Sequence, residues 1–165
     1  MRIDHPIPAC YDGDSRILIL GSFPSVKSRE QMFFYGHPQT RFWKVVAAEV
    51  NDPSVPATVE EKRAFLLRHH IALWDVIASC EITGSSDASI RDAKPNDLST
   101  ILEAADIRAI YTNGAKAYDL YQKYLLPRTG REAVKLPSTS PANAAYSLER
   151  LIEIWSEAIG SVVID

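Results

Sequence analysis

The chain has 165 residues, with 18 Lys and Arg against 21 Asp and Glu, so its formal net charge is −3. At 46% apolar and 24% charged it has the profile of a single globular domain over residues 1–165, neither disordered nor fibrous. The mild acidity argues against a dedicated basic nucleic-acid binder, whose pI would usually exceed about 9, but leaves room for an enzyme that meets nucleic acid through one local patch.

The opening Met1-Arg2-Ile3-Asp4-His5-Pro6 lacks a signal-peptide apolar stretch, and no apolar run approaches the length of a membrane span. A cytoplasmic protein with no membrane association is expected. Cys10 and Cys80 lie far apart and form no C-x-x-C pair, which predicts two reduced thiols and neither a zinc site nor an iron–sulfur cluster. Arg16–Leu20, ended by Gly21, reads as a strand buried on both faces. Phe42, Trp43 and Val46 bury one side of a helix that starts after Thr40. Thr58-Val59-Glu60-Glu61 fits a capping box that opens a helix to about His69. Further strands are read at Ile71–Val76, Ile107–Tyr111 and Ala133–Leu136, and further helices at Leu98–Leu102 and Ala115–Leu120. Leu148, Leu151, Ile152, Trp155 and Ile159 recur at helical spacing near the end. Strands alternating with helices predict an α/β fold with a mostly parallel sheet covered on both sides.

In such sheets ligands bind at the carboxyl ends of the strands. Gly21-Ser22-Phe23-Pro24-Ser25 follows the first strand, and a long loop from Ala78-Ser79-Cys80 through Asp87-Ala88-Ser89 follows the second. Thr112-Asn113-Gly114 follows the third, and Pro137-Ser138-Thr139-Ser140-Pro141-Ala142-Asn143 the fourth. Small, hydroxyl-rich residues thus gather where a site should lie, although loops favour such residues in any case. No dinucleotide fingerprint, P-loop or G-x-S-x-G elbow is present.

Ser140 with Pro141 behind it reads as the N-cap and first position of the final helix. Its backbone N–H groups and neighbouring hydroxyls would suit a phosphate, though a plain helix cap explains the same residues. In Met32–Trp43, five aromatic side chains and His37 surround Gly36 and Pro38. Most of those rings belong to the core, but Phe33, Phe34 or Tyr35 can offer a flat wall for a planar base taken out of a duplex. His37 reads as a hydrogen-bonded turn residue, since no cluster of ligands accompanies it.

Taken in order, Gly21-Ser22-Phe23-Pro24-Ser25, then Tyr35-Gly36-His37-Pro38 with Arg41-Phe42-Trp43, then Pro137 to Asn143, resemble the motifs of the uracil-DNA glycosylase superfamily, with its hypoxanthine (deoxyinosine) branch the most similar. The resemblance runs from about Arg16 to Ile159. It implies a three-layer α/β/α sandwich around a four-stranded, mostly parallel sheet. It also implies monofunctional excision of a deaminated base from DNA, without metal, cofactor or Schiff base; a monomer is expected. Residue by residue, Gly21 to Ser25 would line the sugar and water site, with Ser22 near the water and Phe23 and Tyr35 against the base. Asn113 would serve the base or the catalytic water. Ser25, Lys27, Arg41, Ser138, Thr139, Ser140 and Asn143 would face the DNA.

Two positions depart from that pattern. Mismatch-type members carry a water-orienting Asn where this chain has Phe23, and the hypoxanthine branch carries one where this chain has Thr40. Thr40 Oγ can accept a bond from water but reaches less far than an amide, and Thr is also a common N-cap. A cap role with reduced or redirected activity is the expectation for Thr40. Two other readings stay open: a lesion- or nucleic-acid-binding protein of the same fold without catalysis, and an enzyme acting on a free nucleoside or another small molecule.

Overall fold

The computed structural model describes residues 2–160. In chain order its elements are β1 (Arg2–Asp4), β2 (Ile17–Gly21), α1 (Val26–Gln31), α2 (Phe42–Glu49), α3 (Val59–Arg68), β3 (Ile71–Asp75), β4 (Ile77–Glu81), β5 (Arg91–Pro95), α4 (Ser99–Ala104), β6 (Ala109–Asn113), α5 (Ala115–Leu120), α6 (Leu126–Thr129), β7 (Ala133–Leu136) and α7 (Leu148–Gly160). A 3-10 turn covers Asp87–Ser89, and a π turn at Tyr121–Leu125 joins α5 to α6.

Four strands form the main sheet in the order β3-β2-β6-β7, and every neighbouring pair is parallel. Every residue of β2 is buried, as an uninterrupted apolar run in the centre of a doubly covered sheet requires. Ile17 and Ile19 pack with Phe42, Val46, Phe65, Leu151 and Trp155, so α2, α3 and α7 cover one face. Leu18 and Leu20 pack with Ile77, Ile101, Leu120 and Tyr121, so β4, α4 and α5 cover the other. The three-layer arrangement and the four strands agree with the sequence reading to within one or two residues at each end. Thr58 and Glu61 form the expected capping box: the Thr58 hydroxyl accepts from the Glu61 N–H, and the Glu61 carboxylate accepts from the Thr58 N–H.

Three features differ from the expectation. The stretch after β3 is not all loop. Val76 turns the chain into β4, which pairs antiparallel with β1 and β5 in a separate small sheet. These strands are short, and β1 and β5 are charged and largely exposed, so no apolar alternation marks them in the sequence. Ser140 does not open the final helix. The chain makes turns through Ser140–Tyr146, and Ser147 accepts from the Arg150 N–H at the start of α7. Likewise, Arg41 rather than Thr40 occupies the N-cap position of α2 and makes no side-chain cap bond there. Among the described residues no helix is long and apolar enough to cross a membrane.

Candidate functional site

A cleft of about 330 Å³ opens at the carboxyl ends of all four main-sheet strands. The loop after β2 supplies Ser22 to Ser25, β3 supplies Asp75, β6 supplies Asn113, and the loop after β7 supplies Ser138 to Ala142. Tyr35 and Thr40 close one side, and Ser85 and Asp87 another.

The floor is built from committed polar groups. Val76 and Ile77 N–H groups donate to the carbonyls of Gly21 and Ser22, which holds the first loop against the end of β3. Asp75 is buried, and its Oδ2 lies 2.7 Å from His5 Nε2. His5 Nδ1 accepts the Ile7 N–H, so the imidazole proton sits on Nε2 and is donated to Asp75. A Cβ on Gly21 would fall 2.5 Å from Asp75 Oδ1 and 3.3 Å from the Tyr35 hydroxyl, so only glycine allows this approach.

Tyr35 adopts a left-handed backbone (φ 51°), which is costly for a bulky residue. Its carbonyl accepts from Trp43 Nε1 at 3.0 Å, and its ring lies on Phe42 with centroids 3.9 Å apart and planes 13° from parallel. Phe42 therefore backs Tyr35 as a rigid wall of the cleft. The Tyr35 hydroxyl is buried beside Asn113 and Asp75 without a hydrogen bond of ordinary geometry. Burial, reinforced by the Asp75 charge, pushes its pKa far above the usual phenol value, so it remains a donor.

Asn113 makes two bonds to one partner. Its Nδ2 donates to Thr139 Oγ1 at 2.9 Å, and its Oδ1 accepts the Thr139 N–H at 3.0 Å. This pair fixes which way the amide faces, and one N–H and one oxygen lone pair remain uncommitted to it. Gly114, with φ 98°, follows, and a Cβ there would sit 3.2 Å from Ser138 Cβ. Two loops thus meet through glycine and an amide.

Of the residues predicted from sequence, Ser22, Phe23, Ser25, Tyr35, Thr40, Asn113, Ser138, Thr139 and Ser140 come together on this cleft. Phe23 is largely buried, edge-on to His5 and capped by the Arg29 guanidinium. Ser25 caps α1, accepting from the Ser28 N–H and donating to Ser28 Oγ. Thr139 is buried and occupied by Asn113, so it braces the loop instead of facing outward. Ser138 and Ser140 hydroxyls accept the N–H groups of Ser140 and Ala142, leaving their own protons to donate. Thr40 Oγ1 reaches only the Phe42 N–H, at 3.4 Å.

Lys27, Arg41 and Asn143 do not line the cleft. Lys27 is exposed and faces Glu30 at 3.5 Å. The Arg41 guanidinium is turned inward, donating to the carbonyls of Ser140, Asn143 and Tyr146. It therefore fastens the turns after β7 and is not free for a phosphate. Asn143 Nδ2 donates to the Ser138 carbonyl within the same turns.

The sequence reading passed over His5, Asp75 and Asp87. Asp75 ends a predicted strand, where a carboxylate has no structural reason to sit among apolar neighbours, and that was its available signal. Asp87 lies in a stretch read as loop and accepts the Ser22 hydroxyl at 2.7 Å. Desolvation raises the pKa of its carboxyl, as does the Asp75 charge, while the Ser22 bond and Lys116 oppose the rise. No group of three or more His, Cys, Asp or Glu side chains able to hold a metal occurs among the described residues.

Comparison with known proteins gives concordant results. The family model described as Uracil DNA glycosylase superfamily matches residues 8–159. A Methanosarcina acetivorans protein named hypoxanthine DNA glycosylase is 37% identical over 149 residues, which cover 90% of this chain and 93% of that protein. One of the same name from Methanosarcina barkeri is 31% identical over 152 residues, covering 92% and 94%. The solution structure of a candidate uracil DNA glycosylase from Methanosarcina acetivorans superposes with a TM-score of 0.79 at 36% identity, covering 96% of each chain.

Proposed function

The chain belongs to the uracil DNA glycosylase superfamily, and from that membership we propose that its cleft hydrolyses the N-glycosidic bond of a deaminated base, hypoxanthine before uracil, in DNA. The observation that carries the choice of a deaminated base over adenine is the fixed amide of Asn113 beside the Phe42-backed ring of Tyr35. Hypoxanthine presents a carbonyl oxygen next to a ring N–H, which an amide meets with one donor and one acceptor. Adenine presents the reverse order, and an amide held by Thr139 cannot turn over to meet it. A site built for one pattern rejects the other strongly because its own polar groups would be left unpaired. Uracil presents the same carbonyl beside a ring N–H, so the order of hypoxanthine before uracil rests on the Methanosarcina relatives named for hypoxanthine.

Bond cleavage leaves positive charge on the sugar and moves negative charge onto the departing base. The protein must flip the nucleotide, hold the base edge and keep a water below the sugar carbon. Tyr35 supplies the stacking surface and Asn113 the edge contacts. Outward-donating hydroxyls of Ser138 and Ser140 take the flanking phosphates, which needs few cations. Ser22 stands nearest the role of water contact. The chain acts as a monomer, and its two free, buried thiols suit a reducing compartment such as the cytoplasm.

A duplex carrying one hypoxanthine, incubated with the protein and then treated with alkali, tests the proposal. Scission at the hypoxanthine only after alkali is expected. Tight binding with no abasic site would favour the lesion-binding alternative, for which the Thr40 departure is the motivating observation.

A further inference from the structure

Thr40 leaves the cleft without the side-chain amide that the family pattern places there, yet the cleft holds another acceptor. Ser22 donates its proton to Asp87 Oδ1, so its own oxygen is left to accept from a water. The second carboxylate oxygen of Asp87 accepts no hydrogen bond from the described residues, and both side chains line the cleft. Asp75, the other carboxylate present, is committed to His5 and packed against Gly21. The loop carrying Asp87 is also pinned in place. Ser85 Oγ accepts the Val26 N–H at 2.9 Å, the Gly84 carbonyl accepts Arg29 Nη2 at 2.6 Å, and the Ser89 hydroxyl ties Thr83 to Ser86. Such bracing is what positioning a water demands.

We propose that Asp87, oriented by Ser22, holds and deprotonates the attacking water in this chain, in place of the absent amide. The inference rests on the glycosylase reading above. In the step, the water oxygen bonds to the sugar C1′ as the C1′–N bond breaks, and that bond's electron pair leaves with the base. One water proton passes to Asp87 and then to solvent, and the base takes a proton from solvent. Desolvation makes Asp87 a stronger base than a free carboxylate, which suits the task. Titratable or charged groups facing it are Asp75, Lys116 and Tyr35, with His5 behind Asp75 and Arg29 at the start of its loop.

Asp87→Asn keeps an oxygen to accept the Ser22 hydroxyl but cannot take a proton. Single-turnover release of hypoxanthine from a duplex should fall at least about 30-fold, the acid limb of the wild-type pH–rate profile should vanish, and Tm at pH 7.5 should stay level or rise. The last follows because Asp87 is exposed and the Ser22 hydroxyl still finds an oxygen to bond in the Asn variant. A variant within threefold of wild type, or one that keeps the acid limb, would overturn the role of Asp87 alone. Absence of release by the wild-type protein would overturn this role together with the glycosylase reading.

Discussion

Asn113 and Thr139 are joined by a pair of hydrogen bonds that makes the end of β6 and the loop after β7 one rigid unit. Thr139 is buried, so these bonds replace water for its N–H and hydroxyl, and they set the orientation of the one amide on the cleft floor.

Replacing Asn113 by Ala should therefore damage stability and selectivity together. The buried Thr139 N–H would lose its partner, at a cost of about 1–3 kcal/mol, or a Tm fall of roughly 3–10 °C. Hypoxanthine release should fall by about 10²-fold or more, because both base edge contacts go with the side chain. Thermal unfolding and single-turnover kinetics on the same preparation check both parts.

Thr40→Asn asks whether the absent amide can be restored. Thr40 bonds only weakly to the Phe42 N–H and is not the helix cap, so the exchange should change stability by less than about 0.5 kcal/mol. A longer side chain with a carbonyl acceptor should raise the rate of base release about tenfold, or ~1.4 kcal/mol of barrier. The gain would come from a second acceptor beside the Ser22–Asp87 pair, and an equally stable but no faster Asn variant would show that this pair alone holds the water.

DNA affinity should depend only weakly on salt. Arg41 and Arg29 are bound to backbone carbonyls, and the chain is acidic overall. With few phosphates neutralised, the slope of log K against log salt should be roughly −2 to −4. A slope near −8 from titrations with an abasic-site duplex would reveal a large basic footprint.

Glu49, at the end of α2, is pushed up to about 7 by desolvation, and its Oε2 is buried without a partner. A folded-state pKa above the unfolded value means that the proton is held more tightly by the folded chain. Stability from this group is thus present below about 4.5 and is lost as pH rises from there to about 7. Glu49→Gln should stabilise the protein at pH 8 by about 1–2 kcal/mol, after allowance for solvent screening, and should do little at pH 4. Denaturant titrations at the two pH values measure the difference.

The main sheet was legible because its strands are short apolar runs, each ended by residues that turn, and Thr58 with Glu61 announces α3 by its caps. The small sheet was not, because Ile77–Glu81 and Arg91–Pro95 carry no apolar alternation, and the Arg2 side chain that ties β1 to both shows its partners only in the fold. Ser140-Pro141 has the residues of a helix start, yet Arg41 holds the carbonyls of Ser140, Asn143 and Tyr146, and tertiary bonds to this turn override the local signal. The strand-end rule brought Ser22, Asn113 and Ser138 to the site. It did not reveal that Thr139 and Arg41 face inward, since both are polar and only the folded contacts decide their direction.

The most direct test compares single-turnover release of hypoxanthine and of uracil from otherwise identical duplexes, with adenine as control. The account predicts faster release of hypoxanthine than of uracil and none of adenine. Uracil release equal to or faster than that of hypoxanthine, or no release of either, would contradict it.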